Sequence, residues 1–199
     1  MGSKDLSKRD IWQDISGGKA TIAEKSFYEV FSNYFKDTNF RIRIKPKEFN
    51  NIYVNVTLSK EVLSEIYTPN IKTWKHGVVP DYAIDNLKTK KTIYIEVKRQ
   101  DGWVEEKPRS AGRGNAHERS NKFFTPGLLK EMRKHGKLGD NVLPFWVVFQ
   151  GDITRDPCRV REVTLWYDGC SEHFFMWRDQ KNEVPLIEHF NKFIKPLLE

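Results

Sequence analysis

The first segment with a clear apolar period runs from residue 20 to 36. Ala23, Phe27, Val30, Phe31 and Tyr34 recur every three to four residues, and Thr21 with Glu24 forms a T-x-x-E capping box at the start. That spacing predicts an amphipathic helix with one apolar face. The period then shortens to two. Phe40, Ile42 and Ile44 alternate with polar neighbours, as do Ile52, Val54, Val56 and Leu58, with Pro46 between the sets. Both read as strands or extended edges, and 60–67 as a short helix. Val78, Val79, Tyr82 and Ile84 then predict the first strand of a hairpin, 86–91 its turn and 92–98 the second strand.

Residues 99–114 are rich in Gly, Pro, Lys and Arg and lack an apolar period. A loop of this length inside a compact domain is usually functional or disordered. Asn115 and Glu118 are an N-cap and N3 pair, opening a helix toward Lys134 that Pro126-Gly127 kinks or divides. Continuous apolar character over 143–149 predicts a strand buried on both faces. Residues 160–167 and 173–177 read as two more strands. Pro185 opens a last helix, with Leu186, Ile187, Phe190, Ile194 and Leu197 on one face. No repeat, low-complexity tract or linker interrupts the series. The expected fold is α/β, a central mixed β-sheet flanked by helices, in a single domain spanning 1–199.

Composition narrows the partners. The 199 residues carry a net charge of +7, with a pI of about 9.3, and 13% are aromatic. The aromatic content argues for a packed core rather than disorder. The charge suggests an anionic partner, nucleic acid first and a membrane surface second, although a soluble protein can be basic without either. The opening MGSKDLSKRD has no apolar signal region, Leu6 breaks the myristoylation pattern, and no apolar run approaches the ~18 residues of a membrane span. A cytoplasmic location and no membrane partner are expected. Cys158 and Cys170 fit a reducing compartment as core thiols; Cys170 with His173 has zinc-corner spacing, but no second pair completes it.

The candidate chemistry lies in VVPDYAIDNLKTKKTIYIEVKR, residues 78–99. Glu96 and Lys98 share a strand face, because residues two apart on a strand point the same way. Pairing around the turn brings Asp81 beside Glu96. Converging carboxylates repel unless a cation lies between them, and a hard, oxygen-preferring divalent ion, most simply Mg²⁺, meets that need. Lys98 can then hold or activate an attacking water. A charged hairpin edge in solvent is the bland alternative. Asp85 rivals Asp81 but is assigned to the turn, where Asp is favoured for local hydrogen bonding.

Pro80-Asp81 followed by Glu96-Val97-Lys98 resembles the PD-(D/E)xK nuclease signature. The resemblance implies Mg²⁺-dependent hydrolysis of DNA phosphodiesters, leaving 5′-phosphates. It implies Asp81 and Glu96 as metal ligands, the Val97 carbonyl as a further one, and Lys98 as the catalytic lysine. Gly114-Asn115-Ala116-His117-Glu118-Arg119-Ser120 is in turn similar to the recognition segment of the EcoRI and MunI group of type II restriction endonucleases. By that resemblance Asn115, Ala116 and Arg119 read the inner bases of an AATT centre, and Glu118 braces Arg119 or its copy in the partner subunit. Asn can pair bidentately with adenine and Arg with guanine in the major groove.

One departure from EcoRI carries information. Arg113 precedes Gly114, where EcoRI has no arginine and the MunI branch has one. The implied site is CAATTG, cut after the first C to leave a four-base 5′ overhang. His117 replaces an apolar residue of EcoRI, so the local packing there is expected to differ. A palindromic double-stranded DNA site requires a two-fold reader, hence a homodimer. The family also implies a companion methyltransferase. The basic loop 99–113 is expected to track the DNA backbone and to order on binding. Glu24 or Glu29 is a candidate further acid near the metal. Two other readings are a DNA-binding regulator on an inactive scaffold, which leaves the intact catalytic triplet unexplained, and a repair or junction nuclease, which leaves 114–120 unexplained.

Overall fold

The computed structural model describes residues 25–68, 77–101 and 117–199. Five strands form one mixed sheet in the order β1-β2-β3-β4-β5. β1 (Phe40–Ile44), β2 (Tyr82–Asn86) and β3 (Thr92–Arg99) are an antiparallel meander. β4 (Phe145–Gln150) and β5 (Phe174–Trp177) run parallel to β3. The helices are α1 (25–34), α2 (Lys60–Glu65), α3 (Pro126–Gly136), α4 (Pro157–Trp166), α5 (Val184–His189) and α6 (Lys195–Leu198). Among the described residues no helix is long and apolar enough to cross a membrane.

Side-chain parity divides the core. Ile42, Tyr82, Ile84, Ile93, Ile95, Val97, Trp146, Val148 and Trp177 point to one face, where Phe27, Phe31 and Phe35 of α1 pack with the C-terminal helices. Those helices bury Leu186, Phe190, Ile194 and Leu198, four residues apart. An α-helix turns every 3.6 residues, so a four-residue spacing drifts around it. A π turn over Phe190–Ile194 slows the rotation and keeps the four on one side. The opposite face carries Ala83, Tyr94, Phe145, Val147, Phe149 and Met176 under α3 and α4. Gly136 lets α3 close on β3, since a Cβ there would lie 2.4 Å from the Thr92 carbonyl oxygen.

This second face turns polar toward β1. Arg41 and Arg43 of β1 both donate to Asp85 of β2, at 2.9 and 2.7 Å, and Thr92 donates to it as well. Arg43 also grips Glu48, which accepts from the Tyr94 hydroxyl. Burial pushes the Asp85 carboxyl up, but the hydrogen bonds from Arg43, Arg41 and Thr92 outweigh it and hold the pKa below its ordinary value.

Several expectations hold: α1 over the described part of 20–36, the short helix after residue 60, the hairpin, the doubly buried β4, β5, the division at Pro126 and the last helix. Four others are corrected. Residues 52–58 form no strand; Ile52–Asn55 is a 3₁₀ turn, and the alternating apolar side chains Val54, Val56 and Leu58 are exposed, with no partner strand among the described residues. Residues 160–167 belong to α4, because Asp156 caps it through the Cys158 and Arg159 amides and Pro157 occupies its first turn. Asp85 lies on β2, not in the turn, and is held by arginines. Cys158 is exposed and is not a core thiol, whereas Cys170 is half-buried at the edge of the second cluster. The capping box at Thr21, and 102–114 of the long loop, lie outside the described residues.

Asp85→Ala removes the acceptor shared by Arg41, Arg43 and Thr92, but Arg41 is 57% exposed and Arg43 keeps Glu48, so the unfolding free energy should fall by about 1–3 kcal/mol in urea titration. A depressed folded pKa means this carboxylate's contribution is present above the unfolded value of about pH 4 and is lost as the pH falls through the lower folded value. The variant should therefore lose less stability on acidification than the parent; an equal acid-induced loss in both would contradict the assignment.

Candidate active site

The hairpin register sets the site. Tyr82 faces Ile95, so the next step places Asp81 opposite Glu96, on the face shared with Ala83 and Tyr94. Hydrogen-bonded pairs alternate along an antiparallel ladder. The Asn86 amide donates to the Lys91 carbonyl, which puts residues 84 and 93, 82 and 95, and then 80 and 97 in the bonded set. Residue 80 is proline and has no N–H to give. The Val97 carbonyl thus loses its ladder donor, while the Val97 amide turns to the Asp81 side chain, donating to Oδ2 at 2.9 Å. The Pro-Asp pair opens the sheet at the point where the acids gather.

Both carboxylates are nearly buried, Asp81 at 5% and Glu96 at 4% exposure. Each is met by a lysine. Lys98 Nζ lies 2.5 Å from Glu96 Oε1, and Lys45 Nζ lies 2.5 Å from Asp81 Oδ1. Glu96 Oε2 is buried without a hydrogen-bond partner. Burial pushes the Glu96 carboxyl up, and the Asp81 charge pushes the same way against Lys98 and Lys122. An unsatisfied buried carboxylate oxygen beside a second carboxylate and a freed carbonyl is an oxygen donor set for a hard divalent cation. Among the described residues no group of three or more His, Cys, Asp or Glu side chains adds to it. Glu29 is exposed and paired with Lys25 one helical turn away; Glu24 lies outside the described residues.

Of the segment singled out as a reader, Arg113, Gly114, Asn115 and Ala116 lie outside the described residues. Glu118 and Arg119 are exposed, no ion pair joins them, and Glu118–Phe124 forms a 3₁₀ helix rather than an α-helix. His117 is not at the surface. It is 1% exposed, stacked on Trp166 of α4 with ring centroids 5.6 Å apart. Its Nδ1 lies 3.0 Å from Gln100 Oε1, and its Nε2 faces Glu162 at 3.4 Å. Burial pushes its pKa down, against the pull of Glu162. The imidazole therefore pins the entry of 118–124 to the end of β3, two residues beyond Lys98. Gly151, with φ +83°, allows the crossing beneath: a Cβ there would meet the Gln100 carbonyl at 2.7 Å.

The sequence reading passed over Lys45, Gln100 and Lys122. Lys45 had a signal: the alternation in FRIRIK that marks β1 by its apolar residues also puts Arg41, Arg43 and Lys45 together on the opposite face. Gln100 and Lys122 had none, since only the tertiary fold brings them to the site.

Leaving a buried polar partner unpaired costs about 1–3 kcal/mol, so His117→Leu should lose that much stability in denaturant titration. Amide exchange should rise across 118–124, and adding Gln100→Leu should recover part of the loss. Unchanged exchange in that segment would show that His117 does not anchor it.

Comparison with known proteins finds relatives along the whole chain. The family profile described as "Type II restriction enzyme MunI" spans residues 1–199. The type II restriction enzyme MunI of Mycoplasma sp. is 50% identical over 202 residues, covering 100% of both chains. The crystal structure of MunI restriction endonuclease in complex with cognate DNA superimposes with a TM-score of 0.80, covering 94% of this chain and 97% of that one. The chain belongs to the MunI family of type II restriction enzymes.

Proposed function

We propose that this protein hydrolyses both strands of a palindromic, AATT-centred DNA duplex, most simply C^AATTG, leaving four-base 5′ overhangs with 5′-phosphates. The observation that carries the reading is the junction of two acids, a buried orphan oxygen and a lysine at the end of β2 and β3. MunI, the similar enzyme, was crystallised with cognate DNA, and the basic charge of +7 suits the same class of ligand.

In this reading Asp81, Glu96 and the Val97 carbonyl hold a divalent ion such as Mg²⁺. Those three oxygen donors would place such an ion against the scissile phosphate, where its chemistry would be Lewis-acid polarisation and the acidification of water. Lys98, only 16% exposed and fixed against Glu96, orients the attacking water and offsets charge developing on the phosphate. Asn115, Ala116 and Arg119 read the inner bases and Arg113 the outer pair, with Gly114 in the same DNA-contacting segment. His117 supports them from beneath through Gln100 and Trp166 rather than touching bases itself. One nuclease domain spans 1–199, it works as a homodimer on its two-fold site, and it acts in the cytoplasm beside a methyltransferase that protects host DNA. An inactive DNA-binding scaffold gives no reason for the lysine-clamped acids.

Incubation with random-sequence duplexes and Mg²⁺, followed by sequencing of the ends, should return CAATTG with 5′ overhangs; scattered ends would refute site-specific cutting. Asp81→Ala should abolish cleavage while DNA binding survives, and parental cutting by that variant would exclude the metal site. Arg113→Ala should cost about 1–3 kcal/mol of discrimination at the outer base pair, read as relative cleavage of CAATTG and its outer-pair variants.

A further inference from the structure

The two lysines of the site are not equivalent. Lys98 is largely enclosed at 16% side-chain exposure and engages Glu96 Oε1, leaving Oε2 open. Lys45 is 50% exposed and engages Asp81 Oδ1. The other Asp81 oxygen, Oδ2, is already committed to the Val97 amide. A cation shared by the two acids would therefore use Glu96 Oε2 and Asp81 Oδ1, and Lys45 sits on the second of these.

Its backbone is equally particular. Lys45 has φ +43°, an uncommon conformation for a residue with a side chain, and local strain of this kind collects at functional sites. The conformation lies where β1 ends. The Lys45 amide still donates to the Asp81 carbonyl at 2.9 Å, one step past the Ile44–Tyr82 pair, and Pro46 follows. Main chain and side chain of one residue thus grip the same aspartate.

We propose that Lys45 is a built-in counter-cation that competes with the divalent ion for Asp81 Oδ1. It neutralises the buried acid in the metal-free protein, and it must withdraw before the two carboxylates can share an ion. Half of its side chain already faces solvent, so withdrawal moves the ammonium into water instead of through the core. The enclosed Lys98 stays in place. Lys45 is a positioning residue, and the inference rests on the metal-site reading above.

The test is the affinity of the DNA-free protein for Mn²⁺, measured by calorimetry. Lys45→Met should bind the ion about tenfold more tightly than the parent, the effect of removing a competing charge in contact with a ligand oxygen. Lys45→Gly, which suits a positive φ and also lacks the ammonium, should show the same gain, so the result does not hang on one variant folding. Lys47→Met removes an equal charge two residues on and should shift affinity less than about twofold, as expected for a screened, exposed charge. Equal affinity in the parent and both Lys45 variants, or an equal gain from Lys47→Met, would overturn the competition. Asp81→Ala separates the two readings: unchanged Mn²⁺ binding in that variant would refute the metal site itself, whereas lost binding there with no Lys45 effect would refute only the role of Lys45.

Discussion

The cost of removing carboxylates from water governs one face of this sheet. Asp85 projects from β2, Asp81 from the residue before it and Glu96 from β3, all nearly buried. Unpaired, each would cost several kcal/mol. The chain meets that cost from both sides: β1 supplies Arg41, Arg43 and Lys45, and β3 supplies Lys98. At Asp85 the compensation is complete, with two arginines and a threonine occupying the carboxylate. At the Asp81 and Glu96 end it is incomplete, and one oxygen is left without a partner. The same strand pair thus holds a closed structural network at one end and an open reactive one at the other.

The opposite face makes this arrangement tolerable. Aromatic and aliphatic side chains from every strand pack there against α1 and the C-terminal helices. Rigidity from that layer fixes β2 and β3, so two carboxylates can be held together despite their repulsion. The parallel half of the sheet contributes differently. β4 is buried along its length, and its end, with Gly151, supports the Gln100 and His117 contact that ties the second motif to the first.

Much of this was legible in the sequence because strand parity is strict. Once 92–98 is read as a strand, Glu96 and Lys98 must share a face, and the hairpin turn brings Asp81 to them. The apolar run of β4 and the Pro126 break were equally direct. The two false strands share a cause: apolar alternation and β-branched content predict a strand only where another strand can pair with it. Residues 52–58 alternate but pair with no strand among the described residues, and 160–167 are rich in β-branched and aromatic residues yet follow an Asp-Pro helix start. The alternation of FRIRIK puts Lys45 on the right face, but its pairing with Asp81, thirty-six residues away, and the stacking of His117 on Trp166 of α4 needed the fold.

The missing N–H of Pro80 has a wider consequence. Where the two strands cease to bond they form a fork, and the reactive groups line its crotch. The location of the chemistry is therefore dictated by where the zipper of main-chain bonds stops, and the acids report that endpoint rather than create it. Any ligand reaching the fork meets backbone carbonyl and side chains together, in a notch that the sheet holds ready-made.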